Sequence, residues 1–138
     1  ESNFDTKYLE FEIDEASIFK DLNLAIKRIT QLKELGISCS IDGFGVGYSS
    51  LNSISKIPVD TIKLNKDFLR QKDVLVNDSI INMVIEIAQK LNLKLIIEGV
   101  EKKEEIDYLI EKNSYLYQGY YFSKPLKAKD ATFLLNKR

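Results

Sequence analysis

Histidine is absent from all 138 residues, and cysteine occurs once, as Cys39. The first absence removes imidazole bases, Ser-His-Asp triads and histidine metal ligands from this chain's chemistry. The second removes any intrachain disulfide and any thiolate metal cluster. A metal held here must be held by oxygen, which favours magnesium, manganese or calcium. Cys39 itself lies in an apolar run and reads as core packing. No apolar run approaches the ~20 residues that cross a bilayer, and no charged-then-apolar leader opens the chain. A cytoplasmic setting fits. Net charge is −1 and the isoelectric point about 5.6. No basic field therefore invites a nucleic-acid polymer or an anionic membrane. An anionic small ligand would need a metal or a few placed cations.

The composition that remains, 44% hydrophobic and 30% charged, suits one soluble domain with a real core. Strand and helix patterns alternate along it. Residues 8–13 alternate polar and apolar around Tyr8 and Phe11, as a strand does. Between residues 17 and 35, Ile18, Leu22, Ile26, Ile29, Leu32 and Leu35 fall at helical spacing, and Gly36 supplies the stop. A strand over residues 37–41 ends at Asp42, and residues 49–56 read as a short helix halted by Pro58. A third strand covers residues 61–65. Asn77 or Asp78 is expected to cap a long amphipathic helix running to Leu91. Residues 93–97 form a fourth strand ending in Glu98, followed by a helix over 103–112. Residues 115–117 lead into Gln118, and residues 129–135 look helical. Tyr120, Tyr121 and Phe122 read as core.

Repeated strand–helix units argue for parallel βα connections. Either an open doubly wound sheet or part of a (βα)8 barrel would fit five such strands. Polar residues decide between them. Glu12, Asp42, Lys63, Glu98 and Gln118 each stand at or near the C-terminal end of a different strand. An open sheet feeds its ligand site from a few loops at a switch point. A barrel brings every strand end to one mouth, and this pattern suits it better. The run Asp42-Gly43-Phe44-Gly45-Val46-Gly47 delivers a carboxylate into a loop free to take unusual dihedrals. Its glycine spacing and the helix position are wrong for a dinucleotide fingerprint.

Five segments in order carry a resemblance. They are Leu9-Glu10-Phe11-Glu12-Ile13-Asp14-Glu15, Asp42-Gly43-Phe44-Gly45-Val46-Gly47-Tyr48-Ser49-Ser50-Leu51, Ile62-Lys63-Leu64-Asn65, Glu98-Gly99-Val100-Glu101, and Gln118-Gly119-Tyr120-Tyr121-Phe122-Ser123-Lys124-Pro125. Together they resemble the EAL-domain family of cyclic di-GMP phosphodiesterases. The resemblance implies a partial (βα)8 barrel of about five βα units, with residues 1–138 matching the fourth to eighth strands of the family barrel. The segment with the family's Glu-Ala-Leu motif, and its metal-binding Asn, have no counterpart here. Unpaired edges are then expected, to be covered by a complementing barrel segment or a homodimer.

The resemblance also implies roles. Glu12 and Asp42 match metal ligands, for magnesium or manganese. Lys63 matches the lysine that orients water and contacts phosphate, and Glu98 the glutamate near the metals and the attacking water. Gln118 resembles a substrate-binding glutamine, while Glu15 and Glu101 match glutamates that hold loops in place. Each has a plainer reading. Glu12 can face solvent, Asp42 can cap a turn, Lys63 can be a solvated strand end, and Glu98 or Glu101 can pair with Lys102 or Lys103. Glu15 can simply open a helix, where acids are favoured, and Gln118 can sit in a strand-end turn. Gly43 stands where the family usually carries a second aspartate, and Asn65 where it carries another. Both departures predict weaker metal binding. Two readings follow: a piece of a phosphodiesterase that yields linear pGpG, inactive by itself, or a degenerate domain that binds cyclic di-GMP or a protein.

Overall fold

The structure, a computed structural model, describes residues 4–45, 51–65, 67–70, 74–114 and 116–136. Its strands β1 (Glu10–Asp14), β2 (Ser38–Phe44), β3 (Thr61–Leu64), β4 (Lys94–Glu98) and β5 (Tyr117–Gln118) pair in chain order, all parallel. Between them run α1 (Glu15–Lys20), α2 (Leu22–Glu34), α3 (Leu51–Ile54), α4 (Asp67–Arg70), α5 (Val74–Lys90) and α6 (Lys103–Glu111), and α7 (Ala128–Leu135) follows β5. An order that never reverses has no switch point, so it is the order of a barrel wall and not of a doubly wound sheet.

Strand alternation gives this sheet two different faces. Cys39, Ile41, Ile62, Leu64 and Ile97 point to one side and are buried against Ile18 of α1, Ile29 of α2, Ile54 of α3, Ile81 and Val84 of α5 and Leu109 of α6. Burying each such side chain contributes about 1.5–3 kcal/mol, and burial also raises the Cys39 thiol above its ordinary pKa. The opposite face is polar. Glu12, Ser40 and Thr61 lie in one register row across β1, β2 and β3, with Lys63 and Glu98 further along β3 and β4.

The helix ends repeat one device. Left-handed residues Gly36, Asn92 and Asn113 follow α2, α5 and α6. In each case the next amide closes back on the helix: Ile37 N–H to Leu32 O (3.2 Å), Leu93 to Ala88 (2.8 Å) and Ser114 to Leu109 (3.0 Å). These Schellman turns satisfy orphan carbonyls and aim the chain into the next strand.

Several boundaries depart from the sequence pattern. The single helix expected over residues 17–35 is two, because Asp21 takes φ −149° and its carboxylate caps α2 at the Leu24 amide. Residues 6–8 form a 3-10 turn and β1 starts later. Helix α5 begins at Val74, so neither Asn77 nor Asp78 caps it. Asp78 lies inside the helix and accepts from Tyr108 Oη at 2.8 Å and Asn82 Nδ2 at 3.1 Å, with Lys112 Nζ alongside. Tertiary partners outweighed the cap preference. Helix α4 was not anticipated; Asn65 Oδ1 caps it at the Asp67 amide, 2.9 Å away. The start of the helix expected from Ser49, and Val46 to Ser50 of the glycine loop, lie outside the described residues.

Candidate functional site

The polar face converges on Lys63. Its Nζ lies 2.6 Å from Glu12 Oε1 and 3.0 Å from Glu98 Oε1, linking β1, β3 and β4 with a side chain only 2% exposed. The geometry follows from the register. Glu12 is level with Thr61, Lys63 lies two residues further along β3 and level with Ile96, and Glu98 two further again on β4. The three therefore climb a diagonal, as residues do on tilted, staggered barrel strands. To reach Glu12 from β3 the lysine stem must cross β2, and the residue between Glu12 and Thr61 in that row is the small Ser40. Burial pulls the ammonium down, but hydrogen bonds and charge from Glu12 and Glu98 outweigh it, leaving the Lys63 pKa raised. The ion pairs make Lys63 a retained cation and not a solvated strand end.

Asp42 lies next to a β-bulge. Strand β2 runs on through Gly43 to Phe44, and between Ile41 and Phe44 it carries one residue more than β3. The extra residue is accommodated where Gly43 adopts φ +69°. Such bulges re-aim side chains at the rims of barrels. A Cβ at Gly43 would meet nothing within 4 Å. The position thus has room for a side chain but offers no donor atom.

Beyond the lysine, a cleft of about 320 Å³ is lined by Asn65, Glu98, Gly99, Glu101, Gln118, Gly119 and Tyr120. Three of the expected site residues, Glu98, Glu101 and Gln118, meet here. Gly119 makes this corner close. A Cβ on it would lie 2.0 Å from the Val100 carbonyl oxygen, so the two backbones touch and Val100 N–H donates to Gln118 O at 3.1 Å. The loop bearing Glu101 is tied by a residue the sequence reading missed. Glu105 of α6 accepts from the Glu101 and Lys102 amides at 2.7 and 3.0 Å. Its position three residues after Lys102 was the available signal. Lys103 reaches Asp107 within its own helix, 2.6 Å off, and Glu98 pairs with Lys63.

Tyr120, Tyr121 and Phe122, expected in the core, are 58%, 45% and 45% exposed. They follow the shortest strand, past the reach of the helical layer, and Tyr120 lines the cleft. Glu15 opens α1 and is buried, with Oε1 lacking a hydrogen-bond partner. The loop it is expected to brace falls largely outside the described residues. Ser40 Oγ and Thr61 Oγ1, neighbours on the polar face, are likewise buried without partners.

Oxygen donors suit a hard divalent ion, yet the arrangement does not fit a two-metal centre. Among the described residues no three acidic or cysteine side chains gather as a set able to hold a metal. Glu12 and Glu98 face the Lys63 ammonium instead, and Gly43 supplies no ligand.

Comparison with known proteins agrees with this architecture. The profile of the EAL domain matches residues 1–125. The chain is 39% identical over 120 residues to the cyclic di-GMP phosphodiesterase NbdA of Pseudomonas aeruginosa, covering 86% of this chain and 15% of that protein. It superposes on the PaMucR phosphodiesterase in its c-di-GMP complex with a TM-score of 0.87 at 26% identity, covering 93% of this chain and 52% of that one. Against the manganese and cy-diGMP complex of Klebsiella pneumoniae BlrP1 the TM-score is 0.80 at 27% identity, over 88% of this chain and 31% of that one. The chain thus spans about half, or less, of the length of each of these three proteins.

Proposed function

This chain belongs to the EAL domain family, and on that premise we propose that its polar mouth is one side of a cyclic di-GMP site. The observation that carries the reading is the buried Lys63 cation, held by Glu12 and Glu98 where barrel-type strands end. Lys63 offers its ammonium to a phosphate oxygen or to water, and Glu98 stands at the edge of the cleft that water would enter. Gln118 contacts the guanine–phosphate region of the ligand. Glu12 and Asp42 are the donors toward magnesium or manganese, and the manganese complex of a relative supports a divalent ion in the family. Glu101 and Glu15 hold loops.

The lack of a two-metal donor set among the described residues favours recognition over hydrolysis for this chain by itself. Hydrolysis to linear pGpG remains the second reading for the whole protein, because Lys63 and Glu98 are both retained beside the cleft. Among the described residues the outer edges of β1 and β5 pair with no further strand, and such edges call for cover. Phe11 on β1 and Tyr121 and Phe122 beyond β5 are exposed there. We assign that cover to a complementing barrel segment or a second copy. No helix among the described residues is long and apolar enough to cross a membrane, and we place the chain in the cytoplasm as part of this proposal.

A calorimetric titration with cyclic di-GMP in magnesium tests the reading. Saturable binding that weakens about tenfold in Gln118→Ala, without release of pGpG, is the expected result. No heat at high ligand concentration would defeat the reading for this chain, and appearance of pGpG would favour hydrolysis.

A further inference from the structure

The outermost row of the polar face ends in two amides with a carboxylate between them. Leu64 is level with Ile97 and Glu98 with Gln118, so Asn65, one residue past Leu64, comes level with Glu98. Neighbouring strands about 4.8 Å apart set the Asn65 and Gln118 positions about 10 Å from each other across the mouth. Both line the cleft of about 320 Å³, together with Glu98, Glu101 and Tyr120. Asn65 also lies two residues beyond Lys63, and hence on the same side of the sheet. Its Oδ1 accepts from the Asp67 amide at 2.9 Å, at the start of α4. A primary amide carries one acceptor oxygen and, at its other end, two N–H donors. Only the oxygen can meet the Asp67 N–H, so the orientation of the group is fixed. The NH2 end is left without a partner among the described residues.

We propose that Asn65 is a ligand-binding residue, its side-chain NH2 donating to a phosphate oxygen of the dinucleotide in this cleft. The chemistry favours an amide there. Phosphodiester oxygens only accept hydrogen bonds, and the cleft already presents the carboxylates of Glu98 and Glu101. An aspartate at this position would cap α4 equally well but offer the ligand a further negative acceptor. Asparagine keeps the cap and makes the other end a donor, one step along the chain's polar face from the Lys63 ammonium. Helix and ligand thus hold opposite ends of one side chain. The inference deepens the reading of the mouth given above and rests on it.

Serine separates the two roles, because it caps a helix about as well as asparagine but lacks the NH2 group. The experiment is calorimetric titration with cyclic di-GMP in magnesium on the full chain, on Asn65→Ser and on Asn65→Ala, with urea denaturation alongside. Asn65→Ser should keep the stability of the unmodified chain and bind about tenfold more weakly, the loss expected for one hydrogen bond to a charged group. Asn65→Ala should bind as weakly as Asn65→Ser and lose stability as well. A second measurement needs no variant: the Asn65 side-chain NH2 resonances should shift on ligand addition, and their exchange with water should slow. Full affinity in folded Asn65→Ser, with weaker binding confined to Asn65→Ala, overturns the proposal and leaves Asn65 a helix cap alone. NH2 resonances that stay in place at saturating ligand overturn it too. No binding by the unmodified chain defeats the reading of the mouth itself, and this proposal with it.

Discussion

Two glycines in the same mouth should respond very differently to one added methyl group. At Gly119 the new Cβ would lie 2.0, 2.4 and 2.7 Å from the O, N and C atoms of Val100. All three are backbone atoms, so no rotamer change relieves the contact. The connection between β4 and β5 must open, and with it the hydrogen bonds Val100 N–H to Gln118 O (3.1 Å) and Tyr121 N–H to Val100 O (3.0 Å). Two lost hydrogen bonds cost about 2 kcal/mol and residual overpacking about 1 more, giving roughly 3 kcal/mol for Gly119→Ala. At Gly43 the Cβ meets nothing within 4 Å, and only the φ of +69° opposes alanine. That penalty is about 1–2 kcal/mol. Urea denaturation of both variants measures the difference, expected near 1–2 kcal/mol. Hydrogen exchange at the Val100 and Tyr121 amides should accelerate in Gly119→Ala alone. Equal stabilities for the two variants, with those amides still protected, would refute the close-approach reasoning.

Other perturbations probe separate parts of the fold and site. Thr61→Val should stabilise the chain by about 1 kcal/mol, since it removes a buried hydroxyl without a partner at nearly constant shape; a loss of stability in thermal melts would mean Thr61 is satisfied. Gly43→Asp places a carboxylate in open space beside Asp42, at the cost of the left-handed φ, and should tighten manganese binding several-fold. Unchanged affinity in a folded variant would remove Gly43 from the metal argument. Burial first, and then Asp78, push the Tyr108 hydroxyl up from 10.0 to about 12. The folded state therefore favours the protonated phenol, so this stabilisation is intact below pH 10 and disappears as pH rises through about 12. Stability curves of the chain and Tyr108→Phe should converge across that window; parallel curves would show that the Asp78 contact does not couple Tyr108 to folding.

Local chemistry made most of the wall legible. Short apolar stretches ending in polar residues placed β2, β3 and β4, and amphipathic spacing placed α5 to within a few residues. Polar residues at the strand ends distinguished a barrel wall from an open sheet, because strand direction alone places them at one mouth. The reading weakened wherever a residue's partner lay far along the chain. Asp78 resembles a cap in sequence but is committed to Tyr108 and Lys112, and Asp21 divides a helix that periodicity joins. Exposure of Tyr120, Tyr121 and Phe122 likewise depends on where the helical layer stops, which their apolar character does not encode.

The sequence determined which chemical groups are available: five oxygen- or nitrogen-bearing side chains at successive strand ends, no imidazole, and a glycine in place of one carboxylate. Tertiary structure decided how they combine. Strand stagger carried Lys63 diagonally between Glu12 and Glu98, residues 51 and 35 positions away along the chain, and a bulge gave Gly43 its dihedral and its open side. Neither follows from spacing, because register between neighbouring strands is set by packing of the opposite, apolar face, and that register alone brings the ammonium between two carboxylates.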